Sequence, residues 1–496
     1  MYKIRQIKYS DNSVSIQVYK IENRKRIILR HIGTARTDQE KSDLLSLAND
    51  FIKTISNQLF LFDDKQSGNV FYVDKTEFIG VYYNFLHEII SKLILTIGFD
   101  KIKSNLLLDL VIIRMMEPAS KLRSIDLIEE YFGIRHRRQS YYDFAAQWLS
   151  LKAKVESITL AFAKKHYAFQ YDLLFYDVTT LYFETFQEDE LRKNGFSKDS
   201  KSQQPQILVA LMVSKEGFPI AYEVFAGNTF EGHTIVPVIK NFILKNKVKT
   251  FTVVADAAMI STENVEALIE NKIDYIVGAR LGNLSNHLIA EIDKKILRED
   301  GKNIRIKTNN GYLICSYSSL RYRKDKYEME KQIEKAKYII SYPSKNKKLK
   351  FTKSNGQKME LNQKLIEKTH KLLGIKGYCT NLDERVVSND KVIERYHDLY
   401  KIEQAFRISK SDLQTRPIFH YKEEPIKLHL LICFMALVLS KHIELKSNWS
   451  IKKFIHECKK ITDARLKNQL TGKEINMRTK PTSPITEILS VFDLLT

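Results

Sequence analysis

Residues 171–184 read Tyr-Asp-Leu-Leu-Phe-Tyr-Asp-Val-Thr-Thr-Leu-Tyr-Phe-Glu, and their apolar centre has the length and composition of a buried β-strand. Asp177 lies near the end of that predicted strand, among residues that disfavour a charge. A buried carboxylate is unfavourable unless something compensates it, and a metal ion is the most direct compensation. The alternative is an ordinary aspartate that caps a turn or pairs with a lysine, and one residue alone does not decide between them.

Two further carboxylates occur where a shared metal site needs them. The run Thr250 to Asp256 predicts another strand that ends in a carboxylate, and Glu403 lies in a long helix predicted from about Asp390 to Asp412. If the two strands are neighbours, both aspartates leave the sheet at one end and the helix can aim Glu403 between them. Oxygen ligands of this kind favour Mg²⁺ or Mn²⁺. Two such ions can activate a water or a 3′-hydroxyl and stabilise the leaving oxygen of a phosphodiester.

The predicted long helix carries two more candidate residues. Tyr396, Glu403 and Lys410 are spaced seven residues apart, so in an uninterrupted helix they share one face. Tyr396 and Lys410 then become candidates for gripping phosphates beside the metal ions. The alternatives are that Tyr396 packs in the core and that Lys410 is solvated.

The charge of the chain indicates a polyanionic partner. Its 496 residues include 80 Lys and Arg against 59 Asp and Glu, a net charge of +21. This excess suits a nucleic-acid backbone, with an anionic membrane as the rival. The longest uncharged apolar run, Leu430 to Ser440, is too short to span a bilayer and predicts a buried helix, so we expect no membrane partner. The four cysteines lack paired or metal-type spacing, which fits a reducing cytosol.

The pattern of apolar residues predicts an α/β core with additions. A β-hairpin and a helix come first, then a helical stretch in which the basic loop of Arg135, Arg137 and Arg138 is a candidate DNA contact or simply a solvated loop. Residues 301–370 hold 18 Lys and Arg against 6 acids and suggest a strand-rich domain placed in a loop. Its tyrosines could stack on DNA, or the domain could present a basic face without base stacking. The predicted segments are 1–77, 78–170, 171–279, 280–375, 376–445 and 446–496.

These motifs resemble a known family. Tyr176-Asp177-Val-Thr, Val254-Ala-Asp256 and the stretch from Tyr396 through Glu403 to Lys410 are similar to insertion-sequence DDE transposases. The similarity is to the group with a Tyr-Arg-Glu-Lys signature and a β-rich insertion domain. Three of the four signature positions match, and Leu399 stands where the family has arginine. Arg395, Lys401 or Arg407 could supply the missing cation.

The resemblance implies a fold, an activity and partners. The fold is an RNase H-like catalytic core with a mixed sheet in 171–279 and 376–445, interrupted by the β-rich insertion 280–375. The activity is cutting and joining of element ends, with Asp177, Asp256 and Glu403 holding two Mg²⁺ or Mn²⁺ ions. The partners are double-stranded DNA, the terminal inverted repeats and target DNA. We also expect a homodimer on paired ends, with the tail 446–496 as a possible dimerisation segment, in the cytoplasm with the bacterial nucleoid.

Two other functions fit parts of the sequence. Leu399 at the arginine position suggests a decayed transposase that binds a specific DNA sequence without cutting it. A repair or junction nuclease on the same fold would cut without inserting an end. His233 beside Glu231 is more readily interpreted as a surface histidine than as a catalytic one. Thr179 and Thr180 either orient Asp177 or are ordinary strand residues.

Overall fold

The computed structural model describes residues 2–56, 76–196, 203–248, 251–259, 261–342, 349–355, 358–469, 472 and 474–494. Residue contacts divide the chain into two units. The first comprises Met1–Ile90, Asp126–Arg135 and Ile455–Thr496, and the second comprises Ser91–Ile125 and His136–Phe454. Asp177, Asp256 and Glu403 all belong to the second unit.

The first unit contains two three-stranded antiparallel sheets. The predicted N-terminal hairpin is confirmed, and helix α1 packs on it through Leu44, Leu47 and Ala48 against Ile16 and Val18. The second sheet joins sequence-distant segments, because a strand before the helical region pairs with one from the C-terminal tail. The elements are β1 (Tyr2–Lys8), β2 (Val14–Glu22), β3 (Lys25–Ala35), α1 (Asp38–Ser56), β4 (Thr76–Tyr82), β15 (Asp463–Asn468), β16 (Glu474–Arg478) and α16 (Ser483–Val491).

Helices dominate residues 84–166, as their apolar period predicts. Helix α3 is buried on nearly every side, and the side chain of Ser104 caps it by accepting a hydrogen bond from Leu107 N at 3.4 Å. The elements are α2 (Asn84–Ile97), α3 (Asn105–Met116), α4 (Lys121–Phe132), α5 (Arg138–Leu149) and α6 (Lys152–His166).

An eight-stranded mixed sheet forms the centre of the second unit, with strand order β10-β11-β14-β9-β8-β5-β6-β7. The pairs β5/β8 and β8/β9 are parallel, and the remaining neighbours are antiparallel. The apolar runs that predicted strands form its buried middle, which confirms the predicted α/β class. Its strands are β5 (Leu174–Tyr182), β6 (Gln206–Val213), β7 (Pro219–Ala226), β8 (Thr252–Ala255), β9 (Asp274–Ala279), β10 (Asn303–Thr308), β11 (Gly311–Tyr317) and β14 (Ile375–Thr380).

Residues 280–375 differ from the β-rich segment that the sequence predicts. Strands β10 and β11 extend the central sheet rather than forming a separate one, and much of the rest is helical. The stretch from Lys335 to Ile340, predicted as a strand, lies in α10, where acids and bases four apart form ion pairs such as Arg321–Asp325 at 3.3 Å. Tyr322 and Tyr327 are therefore helical residues. The elements are α9 (Asn286–Lys295), α10 (Ser319–Ser341), β12 (Thr352–Asn355), β13 (Lys358–Leu361) and α11 (Gln363–Lys371).

The helix predicted from Asp390 to Asp412 is broken into three pieces. At the first break, Leu399 N and Ile402 N donate to carbonyls only three residues earlier, which overwinds the chain. At the second, residues Ile408–Asp412 form a π-helical turn, which underwinds it. The pieces are α12 (Asn389–His397), α13 (Tyr400–Arg407) and that π-helical turn.

Most of the remaining helices pack on the central sheet. Ser261 caps α8 as predicted, accepting a hydrogen bond from Asn264 N at 3.2 Å. In the described part of the chain, α14 alone is long and apolar enough to cross a membrane, and 94% of its apolar window is buried within the protein, as expected for a core helix. The elements are α7 (Gly232–Asn246), α8 (Thr262–Glu270), α14 (Glu423–Ser447) and α15 (Ile451–Lys459).

Gly227, just after β7, fills a position with no room for a side chain. A Cβ there would overlap the backbone carbonyl oxygens of Gln206 and Lys193, which bridge the start of β6. We expect Gly227→Ala to lower the free energy of unfolding by about 3 kcal/mol, as overpacking against backbone does. Gly282→Ala is the matched control, since a Cβ at Gly282 meets nothing within 4 Å. Denaturant unfolding measures both, and equal effects would contradict this prediction.

Candidate active site

Asp177 and Asp256 lie side by side on neighbouring strands. The parallel pairing of β5 with β8 aligns Tyr176 with Ala255, so the next residues in register are Asp177 and Asp256. Because alternate residues of a strand face the same side of a sheet, both carboxylates leave the sheet on one face. The condition set by the sequence analysis, that the two strands are neighbours, is met. One detail differs: β5 continues to Tyr182, so Asp177 lies within the strand, whereas Asp256 directly follows β8.

Helices α12 and α13 cover that same face of the sheet. Thr179 and Leu181, which share the face of Asp177, line a small cavity with Phe406 of α13. On the β8 side, Tyr396 of α12 contacts Asp256 directly. The helix that carries Glu403 thus lies over the face from which both aspartates project.

Asp256 is held in one orientation. Its Oδ1 accepts hydrogen bonds from Tyr396 Oη at 3.0 Å and from Ala257 N at 2.7 Å, while Oδ2 has no hydrogen-bond partner among the described residues. Gly278 of β9 leaves space for the phenol, since a Cβ there would come within 2.5 Å of Tyr396 Oη. Burial, reinforced by the Asp256 carboxylate, raises the pKa of Tyr396, so the phenol stays protonated and donates.

Glu403 is exposed on α13 and has no hydrogen bond or ion pair with any described residue. Within the described ranges, no three His, Cys, Asp or Glu side chains lie close enough together to hold one metal ion. The structure therefore brings Asp177 and Asp256 together and places Glu403 over the same face, but it does not bring the three carboxylates into one preassembled cluster.

Lys376 is a site residue that the sequence reasoning missed. Its ammonium lies 4.7 Å from the ring centroid of Tyr396 and 5.6 Å from that of Tyr378. Burial and Arg321 lower the pKa of Lys376, and the carboxylates of Asp256 and Glu403 both act in the opposite direction. One cation on β14 thus interacts with two of the three predicted ligands. A single lysine in a strand gives no indication in the sequence that it lies near Asp256 and Glu403.

The broken helix changes the roles expected for its residues. Tyr396, Glu403 and Lys410 lie on α12, α13 and the π-helical turn, so the predicted uninterrupted helix is wrong and the face-sharing argument does not apply. Tyr396 is buried and holds Asp256. Lys410 is half-buried.

Leu399, at the position of the family arginine, is buried at the junction of the two helices. Of the cations considered as its substitute, Lys401 donates to Lys215 O at 2.8 Å and pairs with Asp398 at 3.1 Å. Arg407 is exposed at the end of α13. Lys376, which is distant from Leu399 in sequence, is a cation on which the carboxylates of Asp256 and Glu403 both act.

The other predicted contacts are at the surface. Arg135 pairs with Glu129 at 2.7 Å, and Arg137 and Arg138 are exposed where α5 begins. His233 is exposed in the first turn of α7, which agrees with its interpretation as a surface histidine. The Thr180 hydroxyl is buried without a hydrogen-bond partner among the described residues, so it does not orient Asp177.

Comparison with known proteins agrees with these motifs. The family model described as "Transposase DDE domain" matches residues 168–439. A solved piggyBac transposase synaptic complex with hairpin DNA is 12% identical and aligns over 84% of this chain and 79% of that chain, with a TM-score of 0.35, which does not establish a shared fold. No curated protein sequence matches. Since the family match spans more than half of the chain and includes all three carboxylates, the chain belongs to the transposase DDE domain family.

Proposed function

We propose that this protein is the DNA transposase of an insertion sequence, which cuts and joins element ends with Asp177, Asp256 and Glu403. The observation that carries the proposal is the register of β5 and β8, which sets two carboxylates side by side under the helix that bears the third. The mixed sheet, with β8-β5-β6-β7 beside the parallel β9, supports an RNase H-like core. As a DDE transposase, the chain is expected to be a nuclease and strand transferase.

The donor chemistry fits a divalent cation. Carboxylate oxygens are the ligands that Mg²⁺ and Mn²⁺ prefer, and Asp256 Oδ2 has no hydrogen-bond partner among the described residues. Asp177 and Asp256 would hold two such ions, with Glu403 completing the site. When bound, the ions supply charge stabilisation at the phosphodiester and an activated water or 3′-hydroxyl.

The protein's own residues have separate tasks in this proposal. Tyr396 fixes the orientation of Asp256 through its phenol hydrogen bond. Lys376 partly offsets the negative charge of Asp256 and Glu403. We expect its ammonium also to donate a hydrogen bond to the scissile phosphate. Because the three carboxylates are not preassembled among the described residues, Glu403 would have to move towards the aspartates to share a cation with them.

The partners follow from charge and family. The net charge of +21 supports binding to double-stranded DNA, namely terminal inverted repeats and target DNA. Lys410, Arg407, Arg135, Arg137 and Arg138 are proposed backbone contacts, and Tyr396 is reassigned from DNA contact to the support of Asp256. We propose a homodimer on paired ends and a cytoplasmic, nucleoid-associated location.

The test uses the DNA that flanks the reading frame. We expect the purified protein with Mg²⁺ or Mn²⁺ to cut linear DNA at the borders of inverted repeats in those flanks, and a chelator to stop the reaction. Unrelated DNA of the same length is the control, and joining to a supercoiled plasmid measures strand transfer. Sequence-specific binding with no cutting would favour the decayed transposase, and equal cutting of both DNAs would favour a nuclease.

A further inference from the structure

A cavity of about 330 Å³ lies in the second unit, and its lining includes none of the three carboxylates. It is formed by the end of α3, the start of α4, the start of α5 and the segment that leads into α14. Its volume is within the range of about 300–1,000 Å³ that is common for ligand sites. We call it the Lys121 pocket. Its lining includes Arg114, Lys121, Tyr141, Arg416, His420 and His429, and no aspartate or glutamate.

Lys121 is a buried cation whose nearest polar neighbours are bases. Its ammonium lies 2.7 Å from His420 Nε2 and 3.5 Å from His429 Nδ1, and the side chain is 5% exposed. His429 Nε2 lies 3.0 Å from Thr415 O, so this nitrogen carries the proton and Nδ1 faces Lys121 as an acceptor. Burial and Arg114 lower the pKa of Lys121 to about 7. A buried lysine without an acid is unfavourable, and an anion relieves that cost.

Two residues that line the pocket each carry a buried donor with no partner among the described residues. The Nε of Arg114 and the hydroxyl of Tyr141 are buried without a hydrogen bond, although Arg114 is anchored through Nη2 to Ala119 O at 2.8 Å. Both residues are at most 5% exposed. Buried hydrogen-bond donors normally have an acceptor. Two donors without one, beside a buried lysine that lacks an acidic partner, indicate that the acceptor belongs to a ligand.

We propose that the Lys121 pocket binds a phosphate group of a DNA nucleotide, with Lys121, Arg114 and Tyr141 donating to the phosphate oxygens. A phosphate offers several strong acceptors and negative charge at once, which matches this set of donors. At the rim, Tyr142 is 57% exposed and Phe419 is 64% exposed, so two rings are available to stack on a base. Only the assignment of the phosphate to DNA rests on the proposed function, because the phosphate chemistry stands on the pocket itself.

The first part of the test measures binding of the full chain to a labelled duplex from the flanking DNA across a range of salt concentrations. Lys121→Met removes the charge and keeps the shape, and it is expected to weaken binding about tenfold or more and to reduce the salt slope by about 1. Lys427→Met is the matched control, because Lys427 is exposed and already paired with Glu423. It is expected to leave affinity and slope near those of the unchanged protein.

Tyr141→Phe keeps the test decisive even if Lys121→Met does not fold. Since the Tyr141 hydroxyl is buried and unsatisfied, its removal is expected to leave the melting temperature of the free protein unchanged or higher, yet to weaken phosphate binding severalfold. A purely structural tyrosine would not separate these two readouts.

Inorganic phosphate and a deoxynucleoside monophosphate, titrated by calorimetry, form the second part of the test. Loss of affinity for the duplex in Tyr141→Phe and Lys121→Met assigns the site to DNA. Loss only for the small phosphates assigns it to a free phosphate compound. If neither variant that folds changes either affinity relative to Lys427→Met, the proposal is overturned. None of these readouts involves DNA cleavage. If the proposed function fails, the duplex binding can be lost with it, but the titrations with inorganic phosphate and a deoxynucleoside monophosphate still test the pocket.

Discussion

Asp177→Asn and Asp256→Asn are each expected to reduce DNA cleavage with Mg²⁺ by at least about 10³-fold. Each change keeps the size of the side chain and removes the charge that a divalent cation requires. Metal ions supply several kcal/mol of transition-state stabilisation in such sites, and each ~1.4 kcal/mol is a factor of ten in rate. Cleavage of end-containing DNA under single-turnover conditions measures the effect, and gel shift with the same DNA reports whether binding persists.

Asp172→Asn is the matched control for these two changes. Asp172 precedes β5 and is exposed, so the same chemical change five residues from Asp177 should leave the rate near that of the unchanged protein. Glu403→Gln is expected to lose as much activity as the aspartate variants, although Glu403 is not clustered with them in the structure. If Asp177→Asn cuts at the original rate, the assignment of the active site is wrong. If only Glu403→Gln does so, Glu403 is not the third ligand.

The paired aspartates could be predicted from the sequence because strand signals are local. Asp177 and Asp256 each follow a short run of β-branched and aromatic residues, and parallel strands of one sheet place such positions at a shared edge. The Ser261 cap and the buried α14 were predicted for the same reason. In each case the decisive information lies within about ten neighbouring residues.

The break in the signature helix could not be predicted in this way. A spacing of seven residues from Tyr396 to Glu403 and from Glu403 to Lys410 fits a regular helix, and neither proline nor glycine interrupts it. The overwound junction at Leu399 and the π-helical turn after Arg407 accompany the packing of α12 beside Asp256 and of α13 on β5, which are tertiary contacts. Such irregular turns are frequent at functional sites.

Residues 280–375 and Lys376 show a second limit of the sequence. The alternating pattern around Lys335 is equally compatible with a charged helix, and ion pairs four residues apart favour the helix in α10. Lys376 becomes a site residue only because β14 pairs with β9 and brings its ammonium near Tyr396. The sequence around Lys376 does not indicate that its strand pairs with residues about a hundred positions away.

Tyr396→Phe is expected to raise the Mg²⁺ concentration for half-maximal cleavage by about 10- to 100-fold, with most of the rate recovered at saturating Mg²⁺. Residues that hydrogen-bond a metal ligand fix its orientation, and their loss typically costs that factor in metal affinity. The phenol of Tyr396 donates a hydrogen bond to Asp256 at 3.0 Å. Titration of Mg²⁺ and Mn²⁺ in the cleavage assay measures the shift.

This change separates positioning of Asp256 from direct contact with DNA. Phenylalanine keeps the ring that packs at 5.1 Å against Tyr378 and under Lys376, so the fold and the charge of the site are preserved. Tyr400→Phe is the matched control, since Tyr400 is exposed on α13 and the same atom is removed there. If Tyr396 instead gripped a phosphate, its loss would weaken DNA binding at every Mg²⁺ concentration, and added metal would not restore the rate. If added metal restores the cleavage rate of Tyr396→Phe, the phenol acts by positioning Asp256. If added metal does not restore the rate, the phenol contacts the DNA directly.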